Sequence, residues 1–273
     1  MIIIIYFIIL MKLIISGLVL AIIFVLCLIL YKQNKENFNG LKNLNGINSF
    51  DNYFYINLEH RKDRKKQITD ELKKMKIPKN KIIRINAVRN KYNGHIGCCK
   101  SHIKTIELAK KMNLNNAVVF EDDFVFTLSK DEIDKKINHF FKVYPKYDII
   151  QLTTAHKSLK DINDKHIKKV NNATTSSAYI INKKFYKRLL DDLNDSKEKM
   201  EKEMIEFNNK NGGLKKKKHQ TGNALDQHWN KLQKNSNWYI FEPYLGKQGG
   251  SGSSIMGGIE AFRNNISFHN IKV

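Results

Sequence analysis

Three cysteines are all that the 273-residue sequence contains, and their positions exclude two fold types. Cys27 lies inside an apolar run, while Cys98 and Cys99 are adjacent, a poor geometry for bridging one another. No disulfide framework follows from them, and no zinc-binding spacing is present. No internal repeat is evident. Acidic residues are scarce beside basic ones, 26 against 48, for a formal net charge of +22. Such a charge invites a nucleic-acid reading. The bases, however, are spread along the chain and form no single stripe. The sequence is also rich in Lys, Asn and Ile together, the bias that AT-rich coding produces. No nucleic-acid partner is therefore expected, although a basic surface still attracts anionic lipid headgroups or a nucleotide diphosphate.

The N-terminal residues lack charge almost completely. From Ile2 to Leu30 the one charged side chain is Lys12. A helix over Leu13–Leu30 would be about 27 Å long, close to the hydrocarbon thickness of a bilayer. Backbone in lipid must satisfy its own hydrogen bonds, so the run should be helical. It has no polar face, which argues against a core helix. No small-x-small cleavage site precedes Tyr31, so residues 1–31 read as a retained transmembrane signal-anchor and not a cleaved signal peptide. Met11 is a second candidate start. A single-pass membrane protein is expected. The side of its domain stays open: luminal (type II) in a eukaryotic secretory pathway, the cytoplasmic face in a bacterial-like cell. Flanking charges do not decide, because long domains translocate largely regardless of them.

Residues 32–51 are polar, Asn-rich and without period, and read as a stem. The folded domain is expected over 52–273. Within it, β-type runs at Tyr53–Leu58, Lys81–Ile85, Ala117–Phe120, Asp148–Leu152, Ser177–Ile181 and Trp238–Phe241 alternate with helical spacing. The helices are expected over Arg61–Lys76, Cys98–Met112, Lys130–Val143 and Asn223–Gln233. The charged stretch Asp195–Gln220 reads as a helix followed by a loop. This alternation predicts an α/β domain with a mixed, mostly parallel sheet, and ligands outside the carboxyl ends of its strands.

The chemistry concentrates where strands end. Glu121-Asp122-Asp123 follows the apolar strand Ala117–Phe120 at once. Three adjacent carboxylates repel one another, and a hard divalent cation with oxygen ligands relieves that repulsion. An exposed acidic turn is the plain alternative. Asn57, Arg61 and Arg64 lie between the first strand and first helix, where guanidinium groups and free helix N–H donors suit a phosphate. Ser101 and His102 enter the next helix after the glycine-containing turn Gly94–Gly97; no nucleophile-elbow pattern surrounds Ser101. Asp226 stands on a short helix, where a carboxylate suits a general base for an acceptor hydroxyl.

Taken in order, these stretches resemble glycosyltransferase family 25. The matching segments are Tyr55–Arg64, Gly94–His102 with its Gly-x-x-Gly-Cys-x-x-Ser-His pattern, Val118–Asp123 and Ser177–Ile181. Asp226 followed by Glu242-Pro243 and Gln248–Ile255 completes the series. The resemblance spans about residues 52–256. It implies a GT-A type, Rossmann-like domain, a UDP-sugar donor (galactose or glucose) and Mn²⁺ (or Mg²⁺). The acceptor it implies is a glycan, a lipooligosaccharide or a hydroxylysine-type hydroxyl. Carried onto this chain, Asp123 and Glu121 would hold the metal. Asn57, Arg61, Arg64, Ser101, His102, Glu121 and Asp122 would face the donor, and Asp226 would act in catalysis, with inversion. Cys99-Lys100 departs from the small or apolar residues expected there. The rival function is a membrane-tethered glycan- or anion-binding protein that keeps the fold without turnover.

Overall fold

The computed structural model describes residues 11–12, 14–29, 45–213 and 222–249. The chain divides into two compact units, Met1–Leu44 and Asn45–Val273. In the first, residues 14–29 are helical and their large apolar side chains are exposed. Among the described residues no helix is long and apolar enough to cross a membrane. The signal-anchor expected over 1–31 lies partly outside the described residues, as do stem residues 32–44, the lysine run Lys215–Lys218 and everything after Gly249.

The second unit is built on an eight-stranded sheet ordered β2-β1-β3-β8-β5-β9-β7-β6. The strands are β1 (Asn52–Asn57), β2 (Ile82–Asn86), β3 (Asn116–Glu121), β5 (Ile149–Gln151), β6 (Ala155–Lys160), β7 (Ile167–Thr174), β8 (Ala178–Asn182) and β9 (Trp238–Phe241). β8 and β7 run against the other six, so the sheet is mixed with one dominant direction. Short β4 (Phe124–Phe126) and β10 (Gly246–Gln248) form a separate antiparallel pair.

Both faces of the central strands are covered, which is why these strands read as continuous apolar runs. Successive side chains point to opposite faces. Phe54, Ile56, Ala117, Val119, Tyr179 and Ile181 enter one core. Tyr53, Tyr55, Val118, Phe120, Ala178 and Ile180 enter the other. Helices α2 (Gly94–Lys111) and α4 (Tyr186–Lys210) and the short α5 (Leu225–His228) and α6 (Asn230–Gln233) close the first core. Helices α1 (Lys62–Lys74) and α3 (Lys130–Val143) close the second. α3 starts at a capping box, Ser129 with Glu132, which satisfies two otherwise orphaned backbone donors.

The structure corrects several expected boundaries; α4, for one, begins at Tyr186 and not at Asp195. The folded unit begins at Asn45, not at Asn52: Ile47 and Phe50 are fully buried, and the amides of Gly46 and Ile47 donate to Asn138 and Asp134 of α3. Gly46 has φ +52°, and a Cβ there would run into the Asp134 carboxylate. The helix expected over Asn223–Gln233 is two short turns, α5 and α6. The lysine-rich β6–β7 hairpin carries too little apolar alternation to be read from sequence.

Cys99 and Lys100, the two departures from the family pattern, dock α4. Cys99 Sγ donates to Leu193 O at 3.3 Å and Lys100 pairs with Glu201 at 2.6 Å.

Candidate active site

The site lies at the carboxyl ends of β1, β2 and β3. Because β8 runs the other way, its incoming turn meets the same edge: Phe120 stands opposite Ala178, and the Glu121 amide donates to Ser177 O at 2.8 Å. The turn from β3 to β4 presents Glu121, Asp122 and Asp123, and the structure gives each a different environment.

Glu121 faces α2 and the β8 turn. Its Oε1 accepts from Ser176 Oγ at 2.6 Å and lies 3.4 Å from His102 Nε2. Burial raises its proton affinity, but His102 and Ser176 outweigh this and leave its pKa below the usual glutamate range. Asp122 faces β1 and α1. Oδ2 accepts from Asn57 Nδ2 at 2.8 Å, and Oδ1 from Arg64 Nη1 at 3.0 Å. Burial dominates there, and the pKa is raised. Asp123 is 3% exposed. Oδ2 lies 3.2 Å from Arg64 Nη1 and 3.2 Å from Gln248 Nε2, while Oδ1 has no hydrogen-bond partner among the described residues. Burial first, then repulsion from Glu121, pushes its pKa up to about 7. The three carboxylates thus do not converge on one point.

Arg64 bridges Asp122 and Asp123 from the first turn of α1 and offsets their charge. Arg61 precedes the same helix, without a side-chain cap, and pairs with exposed Asp63 at 2.8 Å. Asn57 links the two segments, because its Nδ2 also donates to Arg61 O at 3.0 Å. Ser101 Oγ donates to Gly97 O at 2.7 Å and accepts from Val88 N at 2.8 Å, pinning the loop after β2 onto α2. Gly97 belongs to the same contact, since a Cβ there would sit 2.5 Å from Val88 O and 3.1 Å from Asn90 N. Gly97→Ala is expected to cost about 1–3 kcal/mol as an overpacked contact against backbone, read as a lower midpoint in urea unfolding.

His102 is wholly buried. Its Nδ1 lies 3.0 Å from Tyr179 Oη, and the two rings stack at 5.7 Å. Asp226 opens α5, and its Oδ2 accepts from Thr175 N at 2.9 Å. Thr175 holds φ +78°, a backbone region that β-branched residues rarely occupy. Burial first and then Glu121 raise the pKa of Asp226.

Three further residues at this edge were given no site role by the sequence reading, although His95 and Cys98 lie inside its Gly94–His102 pattern. His95 lies near both Asp226 and Glu121, and burial lowers its pKa against their pull. Arg84 reaches from β2 to Asn57 Oδ1 at 3.2 Å and to Glu59 at 2.9 Å. Cys98, with His102 and Glu121, forms a group whose ligand atoms all lie within 4.8 Å of one another. The signals were thin: a lone arginine in an apolar strand, and a Cys-x-x-x-His pair one helical turn apart.

A sequence model of glycosyltransferase family 25 (LPS biosynthesis protein) matches residues 80–221, just over half of the chain. The chain belongs to glycosyltransferase family 25. It is therefore a glycosyltransferase. The matched region takes in α2, β3 with its acidic triplet, and α4. No curated protein sequence matches the chain. Among solved structures it is similar to A197 from STIV, at 10% identity and TM-score 0.39, over 69% of this chain and 79% of that one. It is also similar to a mannose-1-phosphate geranyltransferase from Thermus thermophilus, at 7% identity and TM-score 0.40, over 69% and 72%. A third likeness is to a glycosyltransferase involved in the glycosylation of the major capsid of PBCV-1, at 9% identity and TM-score 0.33, over 51% and 65%. At such scores none of the three bears on the residues of this family 25 site.

Proposed function

We propose that this family 25 enzyme moves a hexose, galactose or glucose, from a UDP-sugar to a hydroxyl of a glycan, lipooligosaccharide or hydroxylysine-type acceptor, with inversion. The observation that carries the reading is Asp123. A buried carboxylate with one oxygen held by Arg64 and Gln248 and the other without a hydrogen-bond partner among the described residues suits a ligand that arrives with the donor. Mg²⁺ and Mn²⁺ are commonly held by one or two carboxylates plus substrate phosphates, so the single oxygen Oδ1 fits. Such a cation, when bound, offsets the charge of the diphosphate leaving group.

The chain's own residues do the rest. Arg64 keeps Asp122 and Asp123 together at the strand end. Arg84 and Arg61, from neighbouring elements, supply positive charge toward the phosphates. Asp226, with Oδ2 held by the Thr175 amide, offers Oδ1 to the acceptor hydroxyl. As the hydroxyl oxygen bonds to the anomeric carbon, its proton passes to Asp226. The bond from that carbon to the diphosphate oxygen breaks, and UDP leaves with the electron pair. A raised proton affinity suits Asp226 to this task. We further propose that the apolar N-terminal run tethers the enzyme to a membrane, a role supported by the exposed apolar side chains of helical residues 14–29.

The test is direct. The full chain is incubated with a panel of UDP-sugars, with and without Mn²⁺, and UDP release is measured. Release that needs both a hexose donor and Mn²⁺ is expected. No metal-linked UDP affinity and no release from any donor would overturn the reading.

A further inference from the structure

The group of potential metal ligands at this edge joins one of the three carboxylates to a cysteine and a histidine. Cys98 and His102 stand four residues apart on α2, so both side chains lie on one helix face. That face meets the end of β3, where Glu121 completes the group within 4.8 Å. Buried His102 Nε2 makes no hydrogen bond of normal geometry among the described residues and pairs with Glu121 Oε1 at 3.4 Å. From zinc's bond lengths, two ligands in a tetrahedral site sit about 3.4 Å apart, so this pair already has the right separation. Side-chain rotation brings the thiol in. The Nδ1 contact with Tyr179 Oη fixes the ring as outer partners of metal-bound histidines do.

We propose that Cys98, His102 and Glu121 bind a soft or borderline divalent cation, Zn²⁺ in the first instance, with a fourth position open. Sulfur and imidazole donors select such a cation over Mg²⁺ or Mn²⁺, which prefer oxygen. The site is thus distinct in chemistry from the oxygen at Asp123. Binding displaces the thiol proton from Cys98 and leaves a thiolate on the metal. It also draws Glu121 from Ser176 toward the cation.

Co²⁺ is the probe, because it reports a thiolate ligand optically where Zn²⁺ is silent. Metal-free full chain is titrated with Co²⁺ under reducing conditions. The expected result is a thiolate-to-cobalt charge-transfer band that Zn²⁺ abolishes and excess Mn²⁺ leaves in place. Cys98→Ser removes the band, and Cys99→Ser keeps it. Tyr179→Phe weakens the affinity about 10–100-fold by freeing the imidazole. Circular dichroism of each variant confirms the fold. His102→Gln, which keeps the thiol, is the second variant and loses affinity likewise. The proposal is overturned if wild-type protein shows no charge-transfer band, or if the band survives in folded Cys98→Ser. A band with no UDP-sugar turnover sinks the transferase chemistry proposed above and leaves this site standing.

Discussion

Asp226→Asn is expected to lower kcat by about 10²–10⁴-fold, the usual worth of a positioned general base, with little change in donor KM. The substitution keeps shape and an oxygen for the Thr175 amide, so α5 and the strained turn at Thr175 should hold. What it removes is the ability to take a proton. The pH profile sharpens the test. Burial and Glu121 raise the proton affinity of Asp226, so wild-type activity should fall on acidification at a pH above the ordinary aspartate range. The variant should lack that limb. Steady-state UDP release from pH 5 to 8 measures both effects. A folded variant with wild-type kcat would remove Asp226 from the chemistry, and His95, its neighbour, would become the base to examine.

Asp123→Asn is expected to abolish the Mn²⁺-linked affinity for UDP and to lower turnover by at least about a hundredfold. That follows if the cation supplies several kcal/mol of charge stabilisation. The same substitution should not weaken the metal-free fold at neutral pH, and this separates a functional role from a structural one. The folded-state pKa of Asp123 is raised to about 7. Its stabilising contribution is therefore complete below the unfolded value, about 3.9, and is lost as pH rises through about 7. Each tenfold gain in proton affinity corresponds to about 1.4 kcal/mol, so the metal-free protein carries a penalty of a few kcal/mol at pH 8. An amide cannot ionise and escapes that penalty, although it loses the charge paired with Arg64. Metal-free wild type should melt lower at pH 8 than at pH 5, and Asp123→Asn should flatten the difference. Mn²⁺ with UDP should restore wild type and leave the variant unchanged. Thermal melts at the two pH values, with calorimetric UDP titrations, decide it. Retained Mn²⁺-linked UDP binding in the variant would end the assignment.

Much of the fold was legible because its signals are local. Period-two and period-3.6 apolar spacing located β1, β3, α1, α3 and β9 nearly to the residue. The placement of Glu121-Asp122-Asp123 at a strand's end needed no structure either. β6, β7, β4 and β10 were missed because their residues are polar or few, and only pairing makes them strands: β7 with distant β9 and with β6, and β4 with distant β10. The stem boundary failed for a similar reason. Gly46–Phe50 has no period of its own and is ordered by Asn138, Asp134 and the buried Ile47 and Phe50.

By itself, then, the sequence determined the α/β class, the acidic strand end, the paired Ser101-His102 on a helix and the ordered motifs of family 25. Tertiary structure decided what each carboxylate touches. It turned Glu121 toward His102 and Cys98, bound Asp122 to Asn57 and Arg64, and left one oxygen of Asp123 without a hydrogen-bond partner among the described residues. Adjacent residues with the same side-chain chemistry are indistinguishable in a sequence. They separate only when the backbone turn aims them at different neighbours, and such neighbours are distant along the chain: Ser176 lies 55 residues from Glu121, and Gln248 lies 125 from Asp123.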